Sequence, residues 1–220
     1  MNNRKKGILI FISYFVYIII IGIIMASLKI DYNTISIKNK VMYNVITNGF
    51  YLLLLILFLK KELKEELKLL KTNYKDYFIK SILIFLAGAL LMFISTLIIS
   101  KFTGQSISGN ETEIRNFIKN SPLLTIILAV IISPIIEELV FRKAIKNIFN
   151  NKYLFIIISS LIFGLLHVSS IRDINELLFS IPYIIMGISF AITYQKTNNI
   201  FTSIILHSSY NLVLILIQLF

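Results

Sequence analysis

Long apolar runs alternate with short polar breaks along this chain, and the runs have the length that a bilayer demands. A helix crossing a membrane needs about 20 consecutive, mostly apolar residues. Seven segments approach that length: Ile8 to Leu28, Val41 to Leu59, Ile79 to Ser100, Leu123 to Phe141, Tyr153 to Val168, Ile174 to Tyr194 and Ile200 to Phe220. The fifth is short, and the sixth carries Glu176 and Pro182, so the region 169–182 is a candidate re-entrant or interfacial piece. The pattern predicts an all-α, polytopic transmembrane helical bundle of about seven spans.

Two polar stretches interrupt the pattern. Lys60 to Lys80 has helical spacing, with Glu62 and Glu66 on one row and Leu63, Leu67 and Leu70 on another. It predicts a cytoplasmic helical extension whose charged face lies in water over anionic headgroups. Lys101 to Ser121, with Gly104, Gly109 and the following Pro122, reads as the longest irregular loop. It divides the chain into amino-terminal membrane helices over 1–122 and a second unit over 123–220.

Composition agrees with a lipid environment. The chain is 57% hydrophobic and 15% charged, with a mean hydropathy of +0.83, whereas soluble domains run at about 45–50% apolar and about 25% charged. The net charge of +11 raises nucleic acid as a partner, but the basic residues sit in breaks between apolar runs, and no soluble basic domain is present to follow a phosphate backbone. Nucleic acid is therefore not expected. Of the 22 Lys and Arg residues, 15 fall on one set of alternate connections and 7 on the other. The positive-inside rule then predicts a cytoplasmic amino terminus and a carboxy terminus on the outer face. Ile8 to Leu28 is longer than a usual signal-peptide core and no good cleavage pattern follows it, so an uncleaved first span is expected. The absence of cysteine removes disulfides, thiolate metal sites and thiol nucleophiles.

Ionisable groups inside lipid cost a few kcal/mol on insertion scales, so each needs a reason. The first three spans hold essentially none. The later ones hold Glu137, Glu138, Arg142, His167, His207 and Asn211, and both histidines of the protein are among them. Neighbours on a helix point about 100° apart, so Glu137 and Glu138 face different ways. Glu138 and Arg142 are at i and i+4 in the favourable order, which predicts that Arg142 neutralises Glu138 while Glu137 is left free to act. Pro134 predicts a bend one turn earlier. If the chain turns at Asn150 and Asn151, Glu137 and His167 differ in depth by only about 5 Å and can share a water. Gly164 leaves room for another helix beside them. His207 and Asn211, also i and i+4, share one face of the last span, at a depth expected for a site open towards the cytoplasm, and offer donors for a developing oxyanion.

Glu137-Glu138-x-x-x-Arg142, Phe163-x-x-x-His167 and His207-x-x-x-Asn211 together resemble the three-motif signature of the CPBP family, the CAAX prenyl endopeptidases and bacteriocin-processing or self-immunity proteins. The resemblance covers about residues 123 to 215. It implies an intramembrane endopeptidase in which Glu137 and His167 activate water and His207 and Asn211 stabilise the oxyanion, with Glu138 and Arg142 in support. If zinc is used, Glu137, His167 and His207 are its candidate ligands. No H-E-x-x-H pair occurs and asparagine is a poor zinc ligand, so a metal-free glutamate mechanism without cofactor is expected. The richness in Lys, Asn and Ile points to a bacterial cell membrane, where a small membrane-associated peptide or protein is a better substrate than a prenylated one. Two other readings stay open from the residues: a non-catalytic bacteriocin-immunity membrane protein, and a proton-coupled transporter, although the repeats and paired broken helices of many transporters are not seen.

Overall fold

The computed structural model describes residues 2–219 and is helical nearly throughout. Met1 and Phe220, the first residue of the basic amino terminus and the last of the seventh predicted span, lie outside the described residues. We number the helices α1 (Asn3–Ser27), α2 (Ile37–Thr103), α3 (Gly109–Asn120), α4 (Pro122–Ile148), α5 (Lys152–Leu165), α6 (Ile174–Leu178), α7 (Ser180–Thr197) and α8 (Ile200–Leu219). Five of them, α1, α2, α4, the α6–α7 unit and α8, are long and apolar enough to cross a membrane. The many exposed apolar side chains on α1 and α2, such as Ile19, Leu83, Phe93 and Leu97, are what a lipid-facing surface requires.

Helix α2 differs from the expected pair of spans, because one helix of 67 residues carries both. Its contacts show how. Tyr17 on α1 donates to Thr47 O, Ser13 meets Tyr51 at 2.9 Å, and Lys6 pairs with Glu62, so this first arm runs antiparallel to α1. Farther along, Glu66 accepts from Ile200 N, and Ile84 O accepts from Ser189 on α7 at 3.1 Å. Tyr210 on α8 reaches Met92. The second arm therefore runs back along α7, and α2 bends between Glu66 and Ile84. Within that stretch Thr72 and Asn73 both turn side chains onto Leu69 O, a competition with the helical ladder that bends helices. Counting the two arms separately gives six crossings, with the short apolar helix α5 as the seventh membrane helix.

Three further expectations change. The Lys60 to Lys80 face is not wholly solvated: Glu62, Leu63, Glu66 and Leu70 are half-buried while Leu67 is exposed. The carboxylates turn inward to meet Lys6, Lys143 and the start of α8. The loop from Lys101 to Ser121 contains α3, capped by Ser108, whose side chain accepts from Glu111 N. The sixth span breaks at Phe179 into α6 and α7, and Pro182 falls in the first turn of α7, where the missing N–H costs little. Helix α5, at 14 residues, extends about 21 Å and stops short of a bilayer's hydrocarbon thickness of about 30 Å.

The bundle has two chemically distinct ends. At the basic end Lys6, Lys143, Glu62, Glu66, Asn199 and Ile200 meet through ion pairs and hydrogen bonds. At the opposite end α3 is tied to the start of α7: Ser108 meets Tyr183 OH at 3.1 Å, and Glu176 accepts from Gly109 N at 2.9 Å. Between the ends, Ile10, Leu139, Phe141, Phe155, Ala191 and Ile200 belong to one continuous apolar core. Gly164 is the close-contact point of α5 with α7. A Cβ there would stand 2.9 Å from both Ser180 O and Ile184 N, closer than packed atoms allow.

Candidate active site

Helix α4 sets the site up through two stretches of wider π-type turn, Ile127–Ile132 and Glu138–Ala144, on either side of Pro134. Such turns occur often at functional positions. Here the reason is traceable to single atoms. Ser133 N–H bonds to Leu128 O in the i+5 register. The next carbonyl, Ala129 O, would then need residue 134, and proline has no N–H to give. Asn211 on α8 fills the gap by donating its Nδ2 to Ala129 O at 2.8 Å. The expected bend at Pro134 is therefore a change of register, and one of the candidate residues is fixed by it.

The second π stretch follows Glu137 directly. Its wider turn rotates less per residue than an α-helix, and both glutamates reach the same imidazole. Glu137 Oε2 lies 3.8 Å from His207 Nε2, and Glu138 Oε1 lies 3.2 Å from His207 Nδ1. Glu137 Oε2 is also 3.7 Å from His167 Nε2. His167 stands beyond the end of α5, where that short helix has already stopped, and its Nδ1 is 2.7 Å from Phe163 O. Phe163 O can only accept, so His167 Nδ1 carries a proton, and in the neutral ring Nε2 is left as an acceptor on the side of Glu137.

Glu138 and Arg142 are both fully buried, and form the expected pair at 3.5 Å between Oε2 and Nε. Arg142 further donates to Ser159 Oγ at 2.9 Å and lies over the Phe163 ring at 4.4 Å. Ser159 in turn donates to Phe141 O at 2.6 Å. The link from Glu138 to His207 was not legible in the sequence, because it depends on how α8 packs against α4. The ring faces are held too: His207 stacks on Phe190 at 4.6 Å and His167 on Tyr183 at 4.8 Å.

Glu137, His167, His207 and Asn211 all line one cavity of about 210 Å³. The structure thus brings together the four residues from two helices, α4 and α8, and from the loop that follows α5, while Glu138 and Arg142 sit behind them. Glu137 Oε2 is buried without a hydrogen-bond partner, as are Glu138 Oε2 and Arg142 Nε and Nη2 behind it, but of these three residues only Glu137 lines the cavity, where a polar ligand can meet it. Among the described residues no group of three or more His, Cys, Asp or Glu is arranged to hold a metal ion. The separations of 3.7 and 3.8 Å are each too long for a direct hydrogen bond, and the space for a small polar molecule is the adjoining cavity.

The cavity does not open where the depth of His207 and Asn211 predicted. Its wall extends from Glu137 and His207 to Asn110, Glu111 and Gln218, which is the end away from the basic residues. On the basic side the site is closed by Phe141, Ala144, Ile145, Phe155 and Ile200, none more than 1% exposed. Depth along a helix gives distance from an end but says nothing about which end the packing leaves open.

Residues 119–213 match the family model described as type II CAAX prenyl endopeptidase Rce1-like. This stretch contains all six residues of the site and its support. Over this stretch the chain is similar to the Rce1-like family. Relatives agree over similar or larger spans. The protein named "Putative membrane peptidase YdiL" from Bacillus subtilis is 36% identical over 115 residues, covering 51% of this chain and 44% of that protein. The membrane-embedded CAAX protease MroQ of Staphylococcus aureus is 31% identical over 137 residues, 58% of this chain and 52% of MroQ. The UPF0177 protein YxdF of Lactococcus lactis is 29% identical over 154 residues, 67% of this chain and 82% of its own. The chain spans about half the length of the two relatives named as peptidase or protease. No solved structure matches it significantly. The protein is an integral membrane protein whose Rce1-like region coincides with the embedded polar site.

Proposed function

We propose that this protein is an intramembrane endopeptidase that hydrolyses a peptide bond in a small membrane-associated peptide or protein. The observation that carries the proposal is the unpartnered Glu137 Oε2, facing the Nε2 atoms of His167 and His207 inside a cavity that Asn211 also lines. The Rce1-like match and the peptidase relatives support the same class of reaction.

In this mechanism a water held between Glu137 and His167 gives a proton to one of them as its oxygen bonds to the substrate's carbonyl carbon. The carbonyl oxygen becomes an oxyanion and accepts hydrogen bonds from Asn211 and His207. His207 Nδ1–H is committed to Glu138, so Nε2 can donate only when the ring is protonated. In that state the charges of Glu137, Glu138, Arg142 and His207 sum to zero. Glu138 is thereby a positioning residue for His207 as well as the partner of Arg142. The proton taken from water then passes to the amide nitrogen, the C–N bond breaks and an amine leaves.

The test is cleavage of a peptide library by the purified full chain in detergent, with Glu137→Gln as control and with and without a chelator. Cleavage that persists with chelator and vanishes in Glu137→Gln supports the reading. Activity lost to chelator and restored by zinc would replace the metal-free step, with Glu137, His167 and His207 as the ligands. A folded wild-type protein that cleaves nothing in the library, equal in this to its variant, would favour the non-catalytic alternative.

A further inference from the structure

The two ends of the bundle differ in sign and in access to the site, and the two differences point the same way. Contacts at the basic end gather the amino terminus, the bend of α2, the α4–α5 turn and the α7–α8 turn. These are the segments that hold 15 of the 22 Lys and Arg residues. By the positive-inside rule this end faces the cytoplasm. The floor of the site on that side is the buried apolar layer around Phe141, Phe155 and Ile200.

Towards the opposite end the wall carries polar side chains among apolar ones such as Met92, Ile114 and Ile215. Asn110 and Glu111 on α3 and Gln218 on α8 line the cavity, and all three are partly exposed. Glu111 is neutralised by Arg115 at 2.9 Å and accepts from Gln218 Nε2 at 2.8 Å. That bond leaves Gln218 Oε1 buried with no partner. The cavity therefore carries an orphan acceptor at its mouth, Gln218 Oε1, separate from Glu137 Oε2 at its floor, which the mechanism gives to water. Peptide N–H groups are the complementary donors, and a mouth without net charge favours an uncharged stretch of peptide.

We infer that the cavity is entered from the end opposite the basic residues, which is the non-cytoplasmic face, and that its ligand is an extended, uncharged peptide segment presented on that side of the membrane. The identity of the ligand as a peptide rests on the peptidase reading above; the side of entry does not. Helix α3 forms the rim of this entrance, latched at its start by Glu176 on Gly109 N.

The chain contains no cysteine, so single-cysteine variants report one position each. Ser133→Cys probes the cavity wall with almost no change in size, Asn116→Cys probes the exposed surface of α3, and Lys71→Cys probes the basic end. The full chain is expressed in bacterial cells, and intact and lysed cells are treated with a membrane-impermeant maleimide. The inference expects Ser133→Cys and Asn116→Cys to label fully in intact cells and Lys71→Cys to label only after lysis. Labelling of Ser133→Cys only after lysis, or at neither stage while a lipid-soluble maleimide reaches it, would overturn the inference in favour of cytoplasmic or lateral entry. Lys71→Cys labelling in intact cells would overturn the orientation. None of these readouts needs cleavage, so an inactive protein can satisfy them and an active one can fail them.

Discussion

Two polar clusters lie within the same bundle and are built by opposite rules. At the basic end, Glu66 accepts from Lys143 and Ile200 N while Asn199 donates to Glu66 O, and Glu62 meets Lys6. Each of these carboxylates has found a cationic partner. In the middle of the membrane, where an unmet polar atom costs most, Glu137 Oε2 has none. Packing has closed the first cluster into a clasp. The second remains open on one side, with its imidazoles held from behind by Phe163 O and Glu138. Under the proposed function, the hydrogen bonds of this second cluster hold its imidazoles in place and leave Glu137 Oε2 for the reacting water.

If that contrast is right, substitutions should separate function from stability. The largest effect is expected for Glu137→Gln, which should lower peptide hydrolysis by at least about 10²–10⁴-fold, with the melting temperature in detergent unchanged. An equal loss of folded protein would make Glu137 part of the scaffold. Behind it, Glu138→Gln should destabilise the protein by about 3–5 kcal/mol, because Arg142 would be left charged and fully buried without its counter-ion. Thermal unfolding in detergent measures this, and a variant as stable as wild type would show that Ser159 and Phe163 alone support Arg142.

Asn211→Ala tests the junction of the two rules, since Asn211 both satisfies Ala129 O and lines the cavity. Loss of an oxyanion donor should raise the barrier by about 2.7–4 kcal/mol, read as a fall in kcat with little change in KM. A fall in stability alone would confine Asn211 to holding α4. The smallest effect is expected at the clasp. Glu66→Ala removes the acceptor of Ile200 N at the start of α8 and leaves buried Lys143 with Glu62 alone at 3.8 Å, and should cost about 0.5–2 kcal/mol of stability, the range for loss of a helix cap. Hydrolysis per folded molecule should be unaffected, and a loss of turnover there would break the separation of the two clusters.

Much of this was legible along the chain because a bilayer enforces simple rules. Each crossing needs a long apolar run, and each embedded charge needs a reason. The runs therefore announced seven crossings, and the rarity of polar residues within them singled out Glu137, Glu138, Arg142, His167, His207 and Asn211. Helical periodicity also fixed the Glu138–Arg142 pair, since i and i+4 meet on any helix.

What the sequence could not decide were matters of contact between segments distant along the chain. Spacing within one helix cannot say that Glu138 meets His207 on α8, nor that Glu66 caps that same helix from α2. Pro134 announced a missing N–H, but its consequence, a carbonyl satisfied by Asn211, exists only once α8 packs beside α4. The polar segment from Lys101 to Ser121 held too few apolar residues to predict a helix, yet α3 forms because Ser108 caps it and Glu176 and Tyr183 receive it. The side on which the cavity opens followed from the same cause. Depth is a property of one helix and can be counted, whereas an opening is the absence of packing among several, and only the assembled bundle shows that Phe141, Phe155 and Ile200 fill one side of the site while Asn110 and Gln218 leave the other accessible.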